Sequence, residues 1–123
     1  MTRGTREVLE SHLAHREDGD LEGDLTENYH PDVVLLSWGE GTDRGHDGVR
    51  HRAEVLSSYL GHGAFRYEEL LVEGEIGMLR WSGEADEVRV RHGVDSFVVR
   101  DGRIVAQTIY YVAGDRPGGD EHA

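Results

Sequence analysis

The sequence contains no cysteine, which excludes thiolate metal sites and disulfide bridges. Basic residues are scarce, because 13 lysines and arginines stand against 25 acidic residues and give a formal net charge of -12. Such an acidic surface argues against a nucleic acid or an anionic membrane as partner. No apolar run is long enough for a signal peptide or a membrane span, so we expect a cytoplasmic protein.

Length and composition indicate one globular domain. The chain has 123 residues, of which 37% are hydrophobic and 31% are charged. It is long enough to bury a core and too apolar to be disordered. We expect a single domain over 1–115, followed by a flexible tail over 116–123 that is rich in glycine, proline and acidic residues.

Helical spacing of apolar residues predicts three helices in the first half of the chain. The predicted caps and stops are Thr5 and Gly19 for the first helix, Asp20 and Pro31 for the second, and Asp47, Gly61 and Gly63 for the third.

Alternating apolar residues predict strands after the third helix, at 65–72, 76–83, 88–99 and 104–112, in addition to an earlier strand at 33–38 and a loop at 39–45. Glycines inside these strands (Gly77, Gly83 and Gly93) indicate bulges and strong curvature. We therefore predict the α+β class: a cone-shaped, strongly curved antiparallel sheet, packed against about three N-terminal and central helices and enclosing a pocket.

Asp95 is a lone carboxylate in the apolar strand Val94-Asp95-Ser96-Phe97-Val98-Val99. A charge there must be paired, neutralised by a raised pKa, or placed in a cavity for use. It is either a catalytic acid or base, or a structural carboxylate that pairs with Arg89 or Arg91 or lies exposed at an edge.

The turn after this strand decides which residues share the face of Asp95. A three-residue loop with a bulge at Gly102 places Asp95 with Gln107, Ile109 and Tyr111, whereas a two-residue loop places it with Thr108 and Tyr110. The first register gives a carboxyl, an amide, a phenol and apolar walls, which is typical of a small-molecule site. Further aromatic walls are predicted at Trp38, Tyr59 and Trp81.

Four segments in this order resemble the nuclear transport factor 2-like superfamily, in particular its SnoaL-like polyketide cyclase and ketosteroid-isomerase-like branches. The segments are Gly19-Asp20-Leu21 after the first helix, Tyr29-His30-Pro31-Asp32-Val33-Val34, Gly45-His46-Asp47-Gly48-Val49, and Val94-Asp95-Ser96-Phe97 through Asp101-Gly102-Arg103-Ile104-Val105. The resemblance covers about 6–112 and favours the first register. It implies the cone fold, which hosts isomerases, cyclases, hydrolases and non-catalytic binders.

The resemblance also implies roles for single residues. Asp95 falls where ketosteroid isomerases keep a protonated aspartic acid that donates to the substrate oxyanion. Their oxyanion tyrosine corresponds to His12, which can donate there or exchange a proton with Asp95. Their aspartate base falls on Leu36 or Ser37, neither of which can be a base, and Glu40 is the nearest substitute. Classical steroid isomerisation is therefore not predicted.

The sequence is compatible with two functions. The first is a cofactor-independent acid–base enzyme of cyclase, isomerase or hydrolase type, acting on a small hydrophobic oxygenated molecule with Asp95 and His12 as its catalytic pair. The second is a non-catalytic binding or assembly module of the same fold. In either case we expect a homodimer, because one sheet face is left for a partner. No cofactor is expected, and no metal site either, because the pairs His12/His15 and His46/His51 lack a third ligand.

Overall fold

The computed structural model describes residues 2–61 and 64–115. The elements within these ranges are α1 (Thr5–Glu17), α2 (Leu21–Asn28), β1 (Tyr29–Ser37), β2 (Gly41–Arg44), α3 (Gly45–Leu60), β3 (Ala64–Glu73), β4 (Ile76–Glu84), β5 (Val88–Arg100) and β6 (Arg103–Asp115). Three helices pack on one sheet, so the predicted α+β class is confirmed. The predicted tail at 116–123 and the predicted helix stop at Gly63 lie outside the described residues.

The six described strands form one open sheet in the order β2-β1-β6-β5-β4-β3. Neighbours are antiparallel except for β1 and β6, which are parallel. The sheet is therefore mixed, where the sequence predicted an antiparallel one. Gly41–Arg44, predicted as loop, forms the short edge strand β2 against β1. Its glycine and polar residues carry no strand signal, so the pairing with β1 decides its conformation.

The chain direction between α1 and α2 is set by Gly19 and Asp20, as predicted. Gly19 has φ +70°, and the N–H groups of Gly19 and Asp20 bond to the carbonyls of Arg16 and His15. This is a Schellman ending, which needs a left-handed residue after the helix. The Asp20 side chain then caps α2 by accepting from the Gly23 N–H at 3.0 Å.

Two other predicted caps are wrong. The residue before α1 is Gly4, and Thr5 donates from its side chain to the Gly74 carbonyl. The residue before α3 is Arg44, and Asp47 lies in the first turn, where it pairs with Arg50. In both cases the residue that the sequence suggested as the cap already lies inside the helix.

The turn between β5 and β6 has two residues, Asp101 and Gly102, with φ of +53° and +77°. This contradicts the three-residue loop. The register nevertheless shifts by one residue between Val98 and Val99. Val105 of β6 is the extra residue at this bulge, since Val98 pairs with Ala106 and Val99 with Ile104.

The bulge restores the face that the sequence predicted. Asp95 lies opposite Ile109, where the turn alone would have placed it opposite Thr108. Asp95 therefore shares its face with Gln107, Ile109 and Tyr111, because side chains on one strand face alternate. The predicted grouping is confirmed, although a bulge produces it rather than a longer loop.

The strand glycines allow close packing as well as bulges. Register shifts lie beside Gly83 and Gly93, where the sequence predicted bulges, but not at Gly77. The indole of Trp81 packs over Gly93, where an added Cβ would lie 2.5 Å from the ring. Leu9 of α1 occupies the corresponding space at Gly77. Larger residues at these positions would displace Trp81 and α1 from the sheet.

The core lies between the helices and one face of the sheet, which we call the inner face. Its fully buried members include Val8 and Leu9 of α1, Val33 and Leu35 of β1, and Phe97 of β5. No helix in the described part of the chain is long and apolar enough to cross a membrane.

Candidate functional site

A cavity of about 470 Å³, counting its open mouth, lies between α3 and the inner face of the sheet. The enclosed part of this space is about 60 Å³, and the rest opens to solvent. The sheet wall carries five residues predicted from the sequence: Trp81, Asp95, Gln107, Ile109 and Tyr111. The remaining lining residues are Arg16, Tyr29, Leu35, Ser37, Val49, Arg52, Ala53 and Leu56.

Asp95 is the only carboxyl group among the described residues that line the cavity. The Trp81 indole donates to one carboxylate oxygen at 3.0 Å, and the Gln107 amide donates to the other at 2.9 Å. Burial raises the pKa of Asp95 to about 6, against the opposing effects of these two hydrogen bonds and of the Arg16 charge. A carboxyl that ionises there can both take and return a proton near neutral pH.

Tyr29 fixes the orientation of the Gln107 amide. Its hydroxyl donates to the Gln107 carbonyl oxygen at 2.5 Å, so the Gln107 N–H groups face Asp95. Burial raises the pKa of Tyr29, so its hydroxyl keeps its proton and stays a donor. The chain Tyr29–Gln107–Asp95 therefore carries a hydrogen-bond polarity that favours ionised Asp95.

A second carboxylate, Asp24, is fully buried and contacts the cavity residue Arg16. It accepts from His12 Nδ1 and Arg16 Nε, each at 2.7 Å, and from Asn28 at 2.9 Å. Burial alone would raise the pKa of Asp24, but the His12 hydrogen bond and the Arg16 charge outweigh it and lower the pKa. Asp24 is thus a fixed anion with its acceptor capacity used by protein donors.

His12 belongs to this lower cluster. Its ring contacts Tyr29 and Phe97 edge-on at 5.7 and 5.4 Å. Burial lowers the pKa of His12, an effect only partly offset by the Asp24 hydrogen bond. Among the described residues, the α1 side chain that lines the cavity is Arg16, one turn after His12. The structure therefore does not bring His12 together with Asp95.

Trp38 and Tyr59 lie outside the cavity, where the sequence predicted walls. Trp38 follows the last residue of β1 and is 82% exposed, because it lies in the turn to β2 and not on the inner face. Tyr59 is 40% exposed and meets Tyr111 edge-on at 6.2 Å. Tyr59 therefore packs against the cavity residue Tyr111 but does not line the cavity itself. Of the two isomerase-base positions, Leu36 is 50% exposed and Ser37 lines the cavity.

The alternative interpretation, in which Asp95 pairs with Arg89 or Arg91 or lies exposed at an edge, does not describe its contacts with Trp81 and Gln107. Arg89 pairs with Glu84, and Arg91 is exposed. The histidine pairs also separate: His15 bonds to Asp20 and Glu27, and His46 to the Tyr29 carbonyl. Within the described ranges, no three or more His, Cys, Asp or Glu residues are grouped so as to hold a metal ion.

Sequence reasoning missed Arg16, Arg52, Tyr29 and Ser37 as cavity residues. Arg16 gave a signal, because it continues the apolar spacing of α1, where an arginine must find a buried partner. Arg52 gave a similar one on α3, between the apolar positions Val49 and Leu56. Arg52 forms ion pairs with Asp43 and Glu40 at 2.7 and 3.3 Å. Glu40, the suggested substitute base, is thus the partner of a cation.

The SnoaL-like domain model matches residues 9–107. No curated protein has a significant sequence match to this chain. Among solved structures, the fold is similar to TerC co-crystallized with polyporic acid (22% identity, TM-score 0.71, 88% of this chain and 91% of that chain). It is also similar to an NTF-2 like protein of unknown function from Burkholderia xenovorans (20% identity, TM-score 0.72, 94% of this chain and 88% of that chain). A protein from Mesorhizobium loti, provisionally assigned as a SnoaL-like polyketide cyclase, matches as well (19% identity, TM-score 0.67, 86% of this chain and 97% of that chain).

The contacts of Asp24 predict that Asp24→Ala destabilises the fold by about 3–5 kcal/mol, because it leaves the Arg16 charge and the His12 N–H without their buried acceptor. Urea unfolding measures the change, and Asp86→Ala, in an exposed loop, is the control, with an effect within about 0.5 kcal/mol. A loss below about 1 kcal/mol for Asp24→Ala would show that the cluster contributes little.

Proposed function

The chain belongs to the SnoaL-like domain family, and we propose that it is a cofactor-independent acid–base enzyme with Asp95 as its proton acceptor and donor. The observation that carries the proposal is a carboxyl with a pKa of about 6 in the wall of a cavity that opens to solvent. Perturbed carboxyls in clefts are characteristic of catalytic sites. The substrate we propose is a small hydrophobic oxygenated molecule of polyketide, terpenoid or steroid type.

The surroundings of Asp95 allow it to take a proton from the substrate and then return it. Ionised Asp95 accepts a proton from the substrate, and the N–H groups of Trp81 and Gln107 support the carboxylate before and after the transfer. A single carboxyl lines the described cavity, so the same group must act in both directions. This requirement favours isomerisation or ring closure, in which the proton is not lost, over reactions that need separate acid and base groups.

The other walls position the substrate. Ile109, Leu56 and Trp81 give apolar surface, while Tyr111 and Ser37 offer hydroxyl groups at different parts of the lining. Burial raises the pKa of Tyr111, so its hydroxyl remains a donor near neutral pH. The similar structures support a ligand of this kind, since one was co-crystallized with polyporic acid and another is provisionally a polyketide cyclase.

A proton-exchange assay tests the proposal and works with surrogate ligands in place of the natural substrate. Thermal-shift screening of hydrophobic ketones, lactones and epoxides selects ligands, and NMR in D₂O then follows deuterium uptake at their acidic carbon positions. We expect Asp95→Asn to bind the ligand but to exchange at least about 100-fold more slowly, because general-base catalysis is lost. Asp101→Asn, in the exposed turn of the same hairpin, should exchange like the parent protein.

Two outcomes would contradict the proposal that the protein is an enzyme. Exchange that Asp95→Asn retains would remove Asp95 from the chemistry. The parent protein could also bind every ligand that shifts its melting temperature and exchange none of them. That result would favour the non-catalytic binding module instead.

We also propose a homodimer formed through the sheet face opposite the helices. The exposed apolar residues on this face include Leu71 of β3 and Ile76 and Met78 of β4. Leu71 pairs directly with Met78, so the apolar surface is continuous across the two strands. Tyr67 does not share this face, because a register shift between Tyr67 and Glu69 turns it toward Trp81.

Light scattering coupled to size-exclusion chromatography tests the dimer at micromolar concentration. The parent chain should elute as a dimer and Met78→Glu as a monomer, because a charge on each of two apposed faces is buried without a partner. Ser58→Glu, on an exposed position of α3, should remain a dimer. A monomeric parent protein would contradict the proposal.

A further inference from the structure

Arg52 is the cation that α3 places in the cavity, on the side opposite the sheet wall that carries Asp95. Only 9% of its side-chain surface is exposed. Its Nε lies 2.7 Å from an Asp43 oxygen, and its Nη1 lies 3.3 Å from a Glu40 oxygen. Nε is thus buried against a carboxylate, whereas Nη2 has no hydrogen-bond or ion-pair partner among the described residues.

A donor without an acceptor on a largely buried side chain is costly, about 1–3 kcal/mol and more for a charged group. Arginine cannot remove the cost by losing its proton. The two ion pairs hold the guanidinium in place, but they leave donor capacity beside the cavity. A ligand oxygen at this position would satisfy it.

The charges around Arg52 select the kind of oxygen. Asp43 and Glu40 already offset the guanidinium charge, so a ligand carboxylate would gain little there and would meet two acidic neighbours. A neutral carbonyl oxygen avoids this repulsion. It also gains most when negative charge develops on it, because a donor held in place stabilises charge that forms during the reaction.

Arg52 and Asp95 are both free to act on one substrate. They form no ion pair with each other in the described structure, since Asp95 bonds to Trp81 and Gln107. Both side chains line the same cavity. A small molecule bound there therefore has Asp95 of the sheet on one side and Arg52 of α3 on the other.

We propose that Arg52 holds the carbonyl oxygen of a neutral substrate and stabilises the enolate that forms when Asp95 removes a proton from the adjacent carbon; this rests on the proposed function. The proton passes from carbon to the Asp95 carboxylate. The C–H electron pair forms the C=C bond, and the carbonyl π pair moves to oxygen, where Arg52 donates to it. The reaction ends when Asp95 returns the proton to carbon, or to the alkoxide formed when the enolate attacks a second carbonyl.

Binding of 4-nitrophenol tests this role, because its phenolate has the charge of an enolate and absorbs at longer wavelength than the phenol. The measurement uses Asp95→Asn, whose amide stands for the protonated carboxyl. In this background we expect bound 4-nitrophenol to ionise more readily than in water. Adding Arg52→Gln should weaken phenolate affinity by about 10- to 100-fold, the contribution of a hydrogen bond from a charged group. Affinity for the neutral phenol should hardly change.

Arg50→Gln is the matched control, since Arg50 lies on the same helix but pairs with Glu22 and Asp47 at the surface. It should leave the phenolate affinity unchanged. Circular dichroism checks that each variant folds. If Arg52→Gln does not fold, Arg52→Lys is used, and its compact ammonium should retain only part of the phenolate preference. Equal phenolate affinity with and without the Arg52 change, or no saturable binding to Asp95→Asn, would overturn the inference.

The two proposals fail in different ways. If the enzyme proposal is wrong, the parent protein shows no Asp95-dependent deuterium exchange while the phenolate preference that depends on Arg52 persists. If the Arg52 inference alone is wrong, exchange in Arg52→Gln equals that of the parent protein. If both are right, exchange in Arg52→Gln should fall about 100-fold or more, mainly in kcat, because the oxyanion forms only during reaction.

Discussion

The hydrogen bonds from Trp81 and Gln107 to Asp95 are the interaction on which the site depends. A carboxylate inside the sheet needs donors for both oxygens, and these two neutral groups supply them without a full positive charge. A cation in direct contact would fix Asp95 as a permanent anion. Neutral donors leave it ionisable near pH 6, with burial and hydrogen bonding in opposition. The structure around these contacts places Trp81 over Gly93 and orients Gln107 through Tyr29.

Asp24, which is buried, and Asp95, which is partly buried, show how environment separates the roles of two carboxyls. Asp24 contacts Arg16 and His12 directly, and its pKa is lowered, so its contribution to stability is present above its ordinary pKa of 3.8 and is lost as pH falls. Asp95 behaves oppositely. Its pKa is raised, so its contribution is present below 3.8 and is lost as pH rises through about 6. One carboxylate therefore holds α1 and α2 together, while the other is free for proton transfer.

Much of this arrangement follows from sequence pattern. The spacing of apolar residues predicts the helices and strands, and the charge at Asp95 in an apolar strand indicates the site. Other features depend on tertiary packing. The bulge at Val105 has no local signal, yet it decides which β6 side chains face Asp95.

The sequence alone also does not predict which side chain of a helix reaches the cavity. His12 and Arg16 lie on the same side of α1, but Phe97 and Tyr29 pack against His12 and leave the cavity to Arg16. Trp38 is aromatic and next to a buried strand, but the turn to β2 leaves it exposed.

The most direct measurement of the central claim is the ionisation of Asp95 by ¹³C NMR, with its carboxyl signal identified by its loss in Asp95→Asn. A midpoint near pH 6 is predicted, and a midpoint at or below its ordinary pKa of 3.8 would contradict the role of Asp95 as a reversible proton acceptor.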